Sequence, residues 1–422
     1  MTTPDLLNPG QPRASVWGWV ARRPMLVAAC IYLVVNCIRF MLIRDSSEWD
    51  SVFVLAAKRL RAGLDIYQLV TESQDHAYSY PPFQAMLAIP FTFLPRFVGR
   101  FVWYVISAFC LVLLWRWSWR VSGGEKLEGR AKPDGREYLI CILGLLCGMR
   151  FVQDNLDHQQ TDLVIGALVI GGCLAWQMGR DWVAATCWGL GAAMKGPPLL
   201  FAVYLAWRGR WGAAVWMVAL AVGVNLLPDL VHAAPRGLWV EQWYVTMIKP
   251  MGAIGVWHSD VLLNQSLAGA ARRFFAEAMP ARALKVLVYL VEAGLLGATG
   301  VWMGKPFGRK VEPFRAAMEC SAVLLLMLLF SPMSSKPHFC VILLPAFCLA
   351  RLAILRRDRW ATGAVAVCIF LVVVLDRNVI NRTVGDGAMW WGSVMWGAVV
   401  LWVGVVMAWG ERGPPTRHCM PG

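Results

Sequence analysis

The chain consists of apolar segments of about 14–22 residues that are separated by short charged clusters, and a helix needs about 20 residues to cross the hydrocarbon layer of a bilayer. Hydrophobic residues make up 58% of the 422 positions and charged residues only 16%, whereas soluble domains have about 45–50% apolar and about 25% charged residues. Strands of a membrane barrel alternate apolar and polar residues over about 10 positions, which these segments do not. The sequence therefore predicts an all-α integral membrane protein.

Segment length and the position of Lys and Arg together predict about 12 transmembrane helices, with both termini and the basic loops on the cytoplasmic side. The predicted spans are residues 24–43, 101–114, 138–152, 162–177, 182–194, 197–207, 211–230, 283–303, 316–331, 339–355, 360–376 and 389–409. The short apolar segment Pro81–Leu94 is instead assigned to a surface or re-entrant helix. Counting it as a span moves the basic loop Arg116–Arg136 to the outside.

The whole chain, residues 1–422, is predicted to form one multi-pass membrane domain with two long outer loops. The first covers residues 44–100 and the second covers residues 231–282, and we expect both to form short helices over the outer face. A short outer loop is predicted at Asp154–Gln160. Most of the loop histidines and carboxylates fall on this outer face, so we expect the chemistry there.

Composition argues against several other functions. The net charge is +14, but Lys and Arg lie at the ends of apolar segments, as in membrane proteins, so no nucleic-acid partner is expected. The 12 cysteines include no CxxC pair, and no metal site or disulfide is expected. No phosphate-binding glycine loop occurs, and the inner loops are too short for a nucleotide-binding domain. A lipid-linked substrate that enters from the bilayer suits such a chain better.

Five short motifs follow one another along the loops and the helix ends. They are Asp50 with Ala56, Ala57, Gly63 and Tyr67; Tyr80-Pro81-Pro82; Met194-Lys195-Gly196-Pro197; Asn264-Gln265-Ser266-Leu267 with Arg272; and Ser331-Pro332 with His338 and Pro345. In this order they resemble glycosyltransferase family 87, membrane mannosyltransferases of the GT-C superfamily that use a polyprenyl-phosphate sugar as donor. The resemblance covers most of the chain and implies a GT-C-like helical bundle.

The resemblance implies transfer of a hexose from a polyprenyl phosphate with inversion at the anomeric carbon, and mannose is the first candidate for this hexose. This reaction needs one carboxylate to take the proton of the acceptor hydroxyl, and cations or N–H donors around the departing phosphate. The resemblance makes Asp50 the catalytic base and His338 the first candidate to hold the phosphate. The nearby acids Asp45 and Glu48 leave the identity of the base open.

The residues predicted to bind substrate share a place in the outer loops or at a helix end. They are Lys195, Lys336, His158, Tyr67, Tyr80, Asn264, Gln265 and Glu48. Where the family usually has a Gly-Gln-x-Asn run, this chain has Asp157-His158-Gln159-Gln160-Thr161-Asp162, so we expect different contacts to the sugar or the acceptor. No cofactor is expected, because the lipid-linked sugar phosphate is the donor substrate.

The implied partners are a polyprenyl-phosphate sugar donor, a glycolipid or glycan acceptor, and membrane lipids. The implied location is the cell (inner) membrane, with the active site on the outer, periplasmic face. One alternative is a related transferase that uses arabinofuranose or glucose. Another is a lipid or sugar transporter or flippase, but many transporters contain a repeat between their halves, and none is visible in this sequence.

Overall fold

The computed structural model describes residues 24–43, 47–67, 78–124, 134–249, 262–305 and 311–410. All regular elements in these ranges are helices, and no strand occurs within them. Helices satisfy every backbone hydrogen bond within one segment, which the hydrocarbon layer requires. The predicted all-α membrane class is confirmed.

The first half of the chain forms eleven of the α-helices, with short 3₁₀ and π elements between them. In chain order they are α1 (Pro24–Ile43), a π turn (Trp49–Val54), α2 (Leu55–Arg61), α3 (Pro82–Leu87), a 3₁₀ helix (Ile89–Phe93), α4 (Arg96–Val121), α5 (Gly135–His158), α6 (Asp162–Gln177), α7 (Asp181–Met194), a 3₁₀ turn (Pro197–Leu199), α8 (Leu200–Trp207), α9 (Trp211–Val224), α10 (Pro228–Val231), α11 (Trp239–Trp243) and a π turn (Tyr244–Ile248).

The second half continues the bundle. In chain order its elements are α12 (Leu267–Phe275), α13 (Ala281–Met303), α14 (Pro313–Phe330), a 3₁₀ helix (Lys336–Ile342), α15 (Leu343–Arg356), α16 (Arg359–Ile369), a π turn (Phe370–Val374), α17 (Arg382–Trp390) and α18 (Ser393–Gly410).

Seven of the described helices are long and apolar enough to cross a membrane, or up to eight if the bent pair α17–α18 is one span. Each of the predicted spans contains a helix. Several of these helices are shorter than a full crossing, for example α6 with 16 residues and α7 with 14. Seven or eight spans are therefore supported by length, and the count of about 12 stays a prediction.

Two spans extend beyond their predicted ends. Helix α4 has 26 residues and α5 has 24, because both continue past the first charged side chains, where the apolar segment stops. The predicted outer loop Asp154–Gln160 is therefore wrong over Asp154–His158, which form the last turns of α5. Long polar side chains near a helix end can reach the membrane surface, so charge alone does not end a helix.

The centre of the bundle is formed by α14 and by the continuous segment Lys336–Arg356. In both, 83% of the apolar window is buried, against 11% in α1 and 17% in α13. A helix that is hydrophobic all round belongs in the interior, and α1 and α13 lie at the periphery.

Close packing fixes the Lys336–Arg356 segment against α5. A Cβ atom at Gly148 would lie 2.5 Å from the Leu343 side chain, so only glycine permits this approach. The Asn155 side chain donates a hydrogen bond of 2.8 Å to the Pro337 carbonyl. These contacts hold the 3₁₀ helix at Lys336 beside the end of α5, where the candidate site lies.

Candidate active site

A cavity of about 760 Å³ lies between the end of α14 and the beginning of the 3₁₀ helix Lys336–Ile342. Its volume is within the range of small-molecule sites, about 300–1,000 Å³. Its polar lining is Glu48, Ser79, Tyr80, Asp154, His158, Gln160, Lys195, Ser331, Ser335, Lys336, His338 and Arg377. Its apolar lining is Val52, Pro81, Leu200, Trp243, Ile248, Leu262, Leu263, Met327, Phe330, Met333 and Met389. Sequence-distant segments thus bring acids, cations and apolar surface together.

Glu48 enters this cavity from the residue that precedes the π turn Trp49–Val54. Single π turns arise inside helices and are frequent at functional sites. The Gln160 amide donates a hydrogen bond to Glu48 Oε2, and the Tyr80 hydroxyl donates to Gln160 Oε1 at 3.2 Å. The carboxylate is half-buried and oriented by a Tyr80–Gln160 chain.

Gln160 reaches the cavity because α5 ends on a left-handed residue. Gln159, the C-cap, has φ 52° and ψ 47°, an uncommon conformation for a residue other than glycine. Its side chain donates to the Arg100 carbonyl at 3.1 Å, and its carbonyl accepts from the Trp103 indole at 3.1 Å. Gln160 belongs to the run Asp157–Asp162, where different contacts to the sugar or the acceptor were expected, but the sequence gives no sign of this reversal, and Gln160 was not singled out.

Lys195 is placed by the end of α7. It adopts an extended conformation, φ −158° and ψ 116°, directly before Gly196-Pro197-Pro198, which cannot continue the helix. Its Nζ lies 2.7 Å from Asp162 Oδ1 and 5.3 Å from the centre of the Tyr80 ring. The side chain is mostly buried, and its charge is balanced by Asp162, the last residue of the run Asp157–Asp162, which was not singled out from the sequence.

His338 belongs to the same cluster. Its Nδ1 accepts a hydrogen bond of 2.6 Å from the Ser335 backbone N–H, within a capping box. Because a backbone N–H can only donate, Nδ1 is the acceptor and the neutral ring carries its proton on Nε2. Nε2 lies 3.8 Å from Asp162 Oδ1, so the ring presents its N–H on the side of Lys195 and the cavity.

Lys336 is a second buried cation that lines the cavity. Its Nζ lies 3.2 Å from Asp376 Oδ2, which also accepts from Arg150 Nε at 2.8 Å. The other oxygen of the same carboxylate, Oδ1, accepts from the Asn378 backbone N–H at 2.9 Å. The Asp376 carboxylate is thus shared by Lys336 and Arg150, and these three groups together leave one net positive charge on this side of the cavity.

Asp50 lies in a different place. It lines a second cavity, on the other side of the π turn from Glu48. Its Oδ2 lies 3.0 Å from Arg96 Nε and 3.9 Å from Arg100 Nε. The structure therefore separates the two acids that the sequence left as alternative bases. Asp45 lies outside the described residues.

Three other predicted residues lie outside the cavity lining and hold its loops. Tyr67 is buried, and its hydroxyl donates to the Tyr80 carbonyl at 3.1 Å. Asn264 is fully buried; its side chain accepts from the Ser334 N–H at 3.2 Å and donates to the Pro332 carbonyl at 3.0 Å. Gln265 donates its side-chain amide to the Met389 carbonyl at 2.9 Å. These contacts fix the loop that leads to Lys336 and His338.

His158 does line the cavity, on the last turn of α5, with 41% of its side chain exposed. Its Nδ1 lies 2.9 Å from the Asp154 carbonyl oxygen. Asp154, one turn earlier, and Arg377 also line the cavity and were missed from sequence. Asp154 could have been found from its spacing, because residues four apart share one helix face.

No cluster of three or more His, Cys, Asp or Glu side chains with the arrangement of a metal site occurs among the described residues.

Residues 78–332 match Glycosyltransferase family 87, and this range is more than half of the 422 residues. The chain belongs to glycosyltransferase family 87. It is accordingly a glycosyltransferase enzyme with membrane-spanning helices. The matched range contains Lys195 and Gln160, whereas Glu48, Asp50 and His338 lie on its flanks. The resemblance noted in the sequence is confirmed at the level of the family.

Named relatives come from two mycobacterial species. A polyprenol-phosphate-mannose-dependent alpha-(1-2)-phosphatidylinositol mannoside mannosyltransferase of Mycobacterium tuberculosis is 26% identical over 332 residues, which cover 77% of this chain and 74% of the relative. A protein of the same name from Mycolicibacterium smegmatis is 26% identical over 258 residues, 61% of this chain and 56% of its own. A pentamannoside mannosyltransferase of the second species is 28% identical over 169 residues, 39% of this chain and 38% of its own.

Tyr80→Phe tests the chain of hydrogen bonds behind Glu48. Burial, and then the charges of Asp162 and Glu48, raise the pKa of the Tyr80 phenol well above its usual value, so it stays neutral at ordinary pH. Removing one neutral hydrogen bond costs about 0.5–1.5 kcal/mol, and kcat should fall by about 3–10-fold. The pH dependence of kcat should keep its shape. A shift of its limbs would mean that Tyr80 itself titrates during the reaction.

Proposed function

We propose that this glycosyltransferase transfers mannose from a polyprenyl phosphate to a phosphatidylinositol mannoside or similar glycolipid, with inversion, on the outer face of the cell membrane. The donor and acceptor classes are those named for the mycobacterial relatives. The supporting observation is one cavity that combines the half-buried carboxylate of Glu48 with Lys195, Lys336 and His338.

In the proposed reaction, the Glu48 carboxylate takes the proton of an acceptor hydroxyl while that oxygen attacks the anomeric carbon. The bond from this carbon to the phosphate oxygen breaks, and its electron pair stays on the phosphate. The products are the glycoside, the polyprenyl phosphate and a protonated Glu48, which later releases the proton to water. One base is enough, because phosphate leaves without being protonated, unlike the sugar alkoxide in hydrolysis.

The developing phosphate charge requires donors that are already in place. Lys195 and Lys336 supply positive charge, and His338 supplies the Nε2–H that its contact with Ser335 dictates. Asp162 and Asp376 hold the two lysines at fixed positions in the absence of substrate. The apolar lining, which includes Leu200 and Phe330, offers surface to the isoprenoid chain of the donor.

Glu48 is preferred to Asp50 as the base because of its surroundings. Glu48 lines the same cavity as the phosphate-binding candidates, whereas Asp50 lines the neighbouring one and is held by Arg96 and Arg100. The carboxylate of Asp50 is thus already engaged in ion pairs, whereas Glu48 is oriented into the larger cavity by Gln160. In this proposal Asp50 positions the π turn that presents Glu48.

Twelve crossings remain part of the proposal, as does the orientation of the site. The segments α6, α7, α8 and α16 with its π turn would be short or tilted spans in addition to the longer ones. Basic side chains at the opposite helix ends, for example Arg356 and Arg357 at the end of α15 and Arg359 at the start of α16, support an outward-facing cavity.

The test uses the purified full-length protein in detergent with polyprenyl-phosphate [³H]mannose and phosphatidylinositol mannosides. We expect labelled glycolipid that mannosidase digestion returns as mannose. Parallel reactions contain polyprenyl-phosphate arabinofuranose and glucose. Transfer from one of these alone would contradict the assignment to mannose. No transfer from any donor, together with movement of the donor between vesicle leaflets, would support a flippase instead.

His338→Ala tests the phosphate side of the cavity. Loss of one preorganised donor to a developing charge lowers rates by about 10²–10³-fold, and we expect this decrease in kcat. Because neutral imidazole fits the vacated space, added imidazole should restore part of the activity. A loss below tenfold would place the departing phosphate away from His338.

A further inference from the structure

A second cavity of about 390 Å³ lies on the other side of the π turn from the candidate active site. Its polar lining includes Ser47, Ser51, Lys58 and Thr92 beside the Asp50–Arg96 pair. It opens next to Arg96, where the span α4 begins. The cavity therefore lies at the depth where lipid head groups meet the hydrocarbon layer.

The charges around this cavity are unequal. Asp50 is already engaged by Arg96 and, more distantly, by Arg100. Lys58 is exposed on α2, and its ammonium has no ion-pair or hydrogen-bond partner among the described side chains. Among the described residues, two cations and one carboxylate line the cavity, an excess of one positive charge that favours an anion.

An apolar stripe begins at the same place and follows α4. Phe97, Phe101, Val105 and Phe109 recur every fourth residue, and their exposed fractions are 61%, 46%, 50% and 62%. Residues at this spacing share one face of a helix. Leu94, at the start of the stripe, also lines the cavity. The stripe runs from the head-group depth into the hydrocarbon region.

We propose that this second cavity binds the phosphate of an anionic glycerophospholipid. Lys58 and Arg96 contact the phosphodiester, and one acyl chain lies along the Phe97–Phe109 stripe. A phosphodiester with a neutral head group balances the excess charge. An ammonium head group gains little, because Asp50 is already paired. The ligand is a bound lipid of the surrounding membrane and not a substrate, so the inference rests on the proposed placement of the active site in the Glu48 cavity.

The test measures lipid retention by native mass spectrometry on the delipidated, full-length protein in detergent. The probes are phosphatidylglycerol and diacylglycerol with identical acyl chains. We expect a saturable site for phosphatidylglycerol and much weaker retention of diacylglycerol. Equal retention of both lipids would overturn the proposal, because it would mean that the phosphate is not recognised.

Lys58→Gln is the main variant, since no described contact depends on its charge. A basic residue near an anionic lipid contributes about 1 kcal/mol, so we expect about fivefold weaker binding of phosphatidylglycerol. The control is Lys285→Gln, a half-exposed lysine position near the beginning of a span, where Nζ lies over the Tyr289 ring. Equal weakening by both variants would indicate general surface attraction and overturn a specific site.

Gly99→Leu provides a second variant that leaves every charge unchanged. Gly99 lines the cavity, and a Cβ atom there would meet only ordinary contacts, 3.8 Å from Phe91 and 4.0 Å from Leu94. The additional leucine atoms fill the space that we assign to the lipid. We expect loss of phosphatidylglycerol retention at wild-type thermal stability. Undiminished retention in this variant would place the lipid elsewhere.

Discussion

Glu48→Gln is expected to lower kcat for sugar transfer by about 10²–10⁴-fold, the range that a general base contributes. Glutamine keeps the size of the side chain and can still contact Gln160, but it cannot accept the proton of the acceptor hydroxyl. The KM for the donor should change little, because the substitution leaves Lys195, Lys336 and His338 in place. Radiolabelled transfer under single-turnover conditions separates the chemical step from product release.

Asp50→Asn is the matched control for this experiment. It removes a charge two residues away that interacts with Arg96 and Arg100 but does not line the candidate active-site cavity. We expect kcat within about tenfold of wild type, since an indirect effect through the π turn is the size of one or two hydrogen bonds. A complete loss in Asp50→Asn with retained activity in Glu48→Gln would make Asp50 the base.

The second large effect concerns stability. Glu319 on α14 is buried, and it accepts from Arg208 Nε at 3.1 Å, from Arg315 Nε at 3.0 Å and from the Tyr204 hydroxyl at 2.9 Å. Removing one partner of such a network leaves a buried charge uncompensated and costs about 3–5 kcal/mol. Glu319→Leu should therefore strongly destabilise the purified protein in thermal unfolding monitored by size-exclusion chromatography.

Glu292→Leu is the control for that measurement. Glu292 lies in the middle of the peripheral span α13, half-buried, with no hydrogen-bond or ion-pair partner among the described residues. Replacing an unpaired acid in a span by leucine removes a desolvation cost. We expect the midpoint of unfolding to stay constant or to rise. Equal destabilisation by both substitutions would contradict a special role for the Arg208–Glu319–Arg315 network.

The fold class could be predicted from sequence because the length of an apolar segment and the charges at its ends are properties of consecutive residues. Each predicted span contains a helix, and the central position of α14 agrees with its apolar composition on all sides. Boundaries failed where helices carry charge at their ends: α4 continues past Arg116, and α5 continues to His158. The apolar pattern stops at the first charged residue, whereas backbone hydrogen bonding does not.

The candidate site was only partly predictable. Tyr80, Lys195, Lys336 and His338 stand in recognisable motifs, and the structure brings them to one cavity. The position of Gln160 in the cavity depends on the left-handed conformation of Gln159, which no local sequence pattern predicts. The missed residues are polar groups whose importance arises from tertiary contacts rather than from spacing.

The choice between Glu48 and Asp50 shows what sequence spacing alone leaves open. The two acids are two residues apart: Glu48 precedes the π turn and lines the candidate active-site cavity, whereas Asp50 is the second residue of that turn and lines the other cavity. Residues two apart do not lie on one face of a helix.

The location of the active site can be tested by a cryo-electron microscopy structure of the protein with polyprenyl phosphate, the product that the donor releases whichever sugar it carries. We predict phosphate density within hydrogen-bond distance of Lys195 Nζ and His338 Nε2, in the cavity that Glu48 lines. Phosphate density instead beside Asp50 and Arg96, with the Glu48 cavity empty, would contradict this assignment and move the active site to the other side of the π turn.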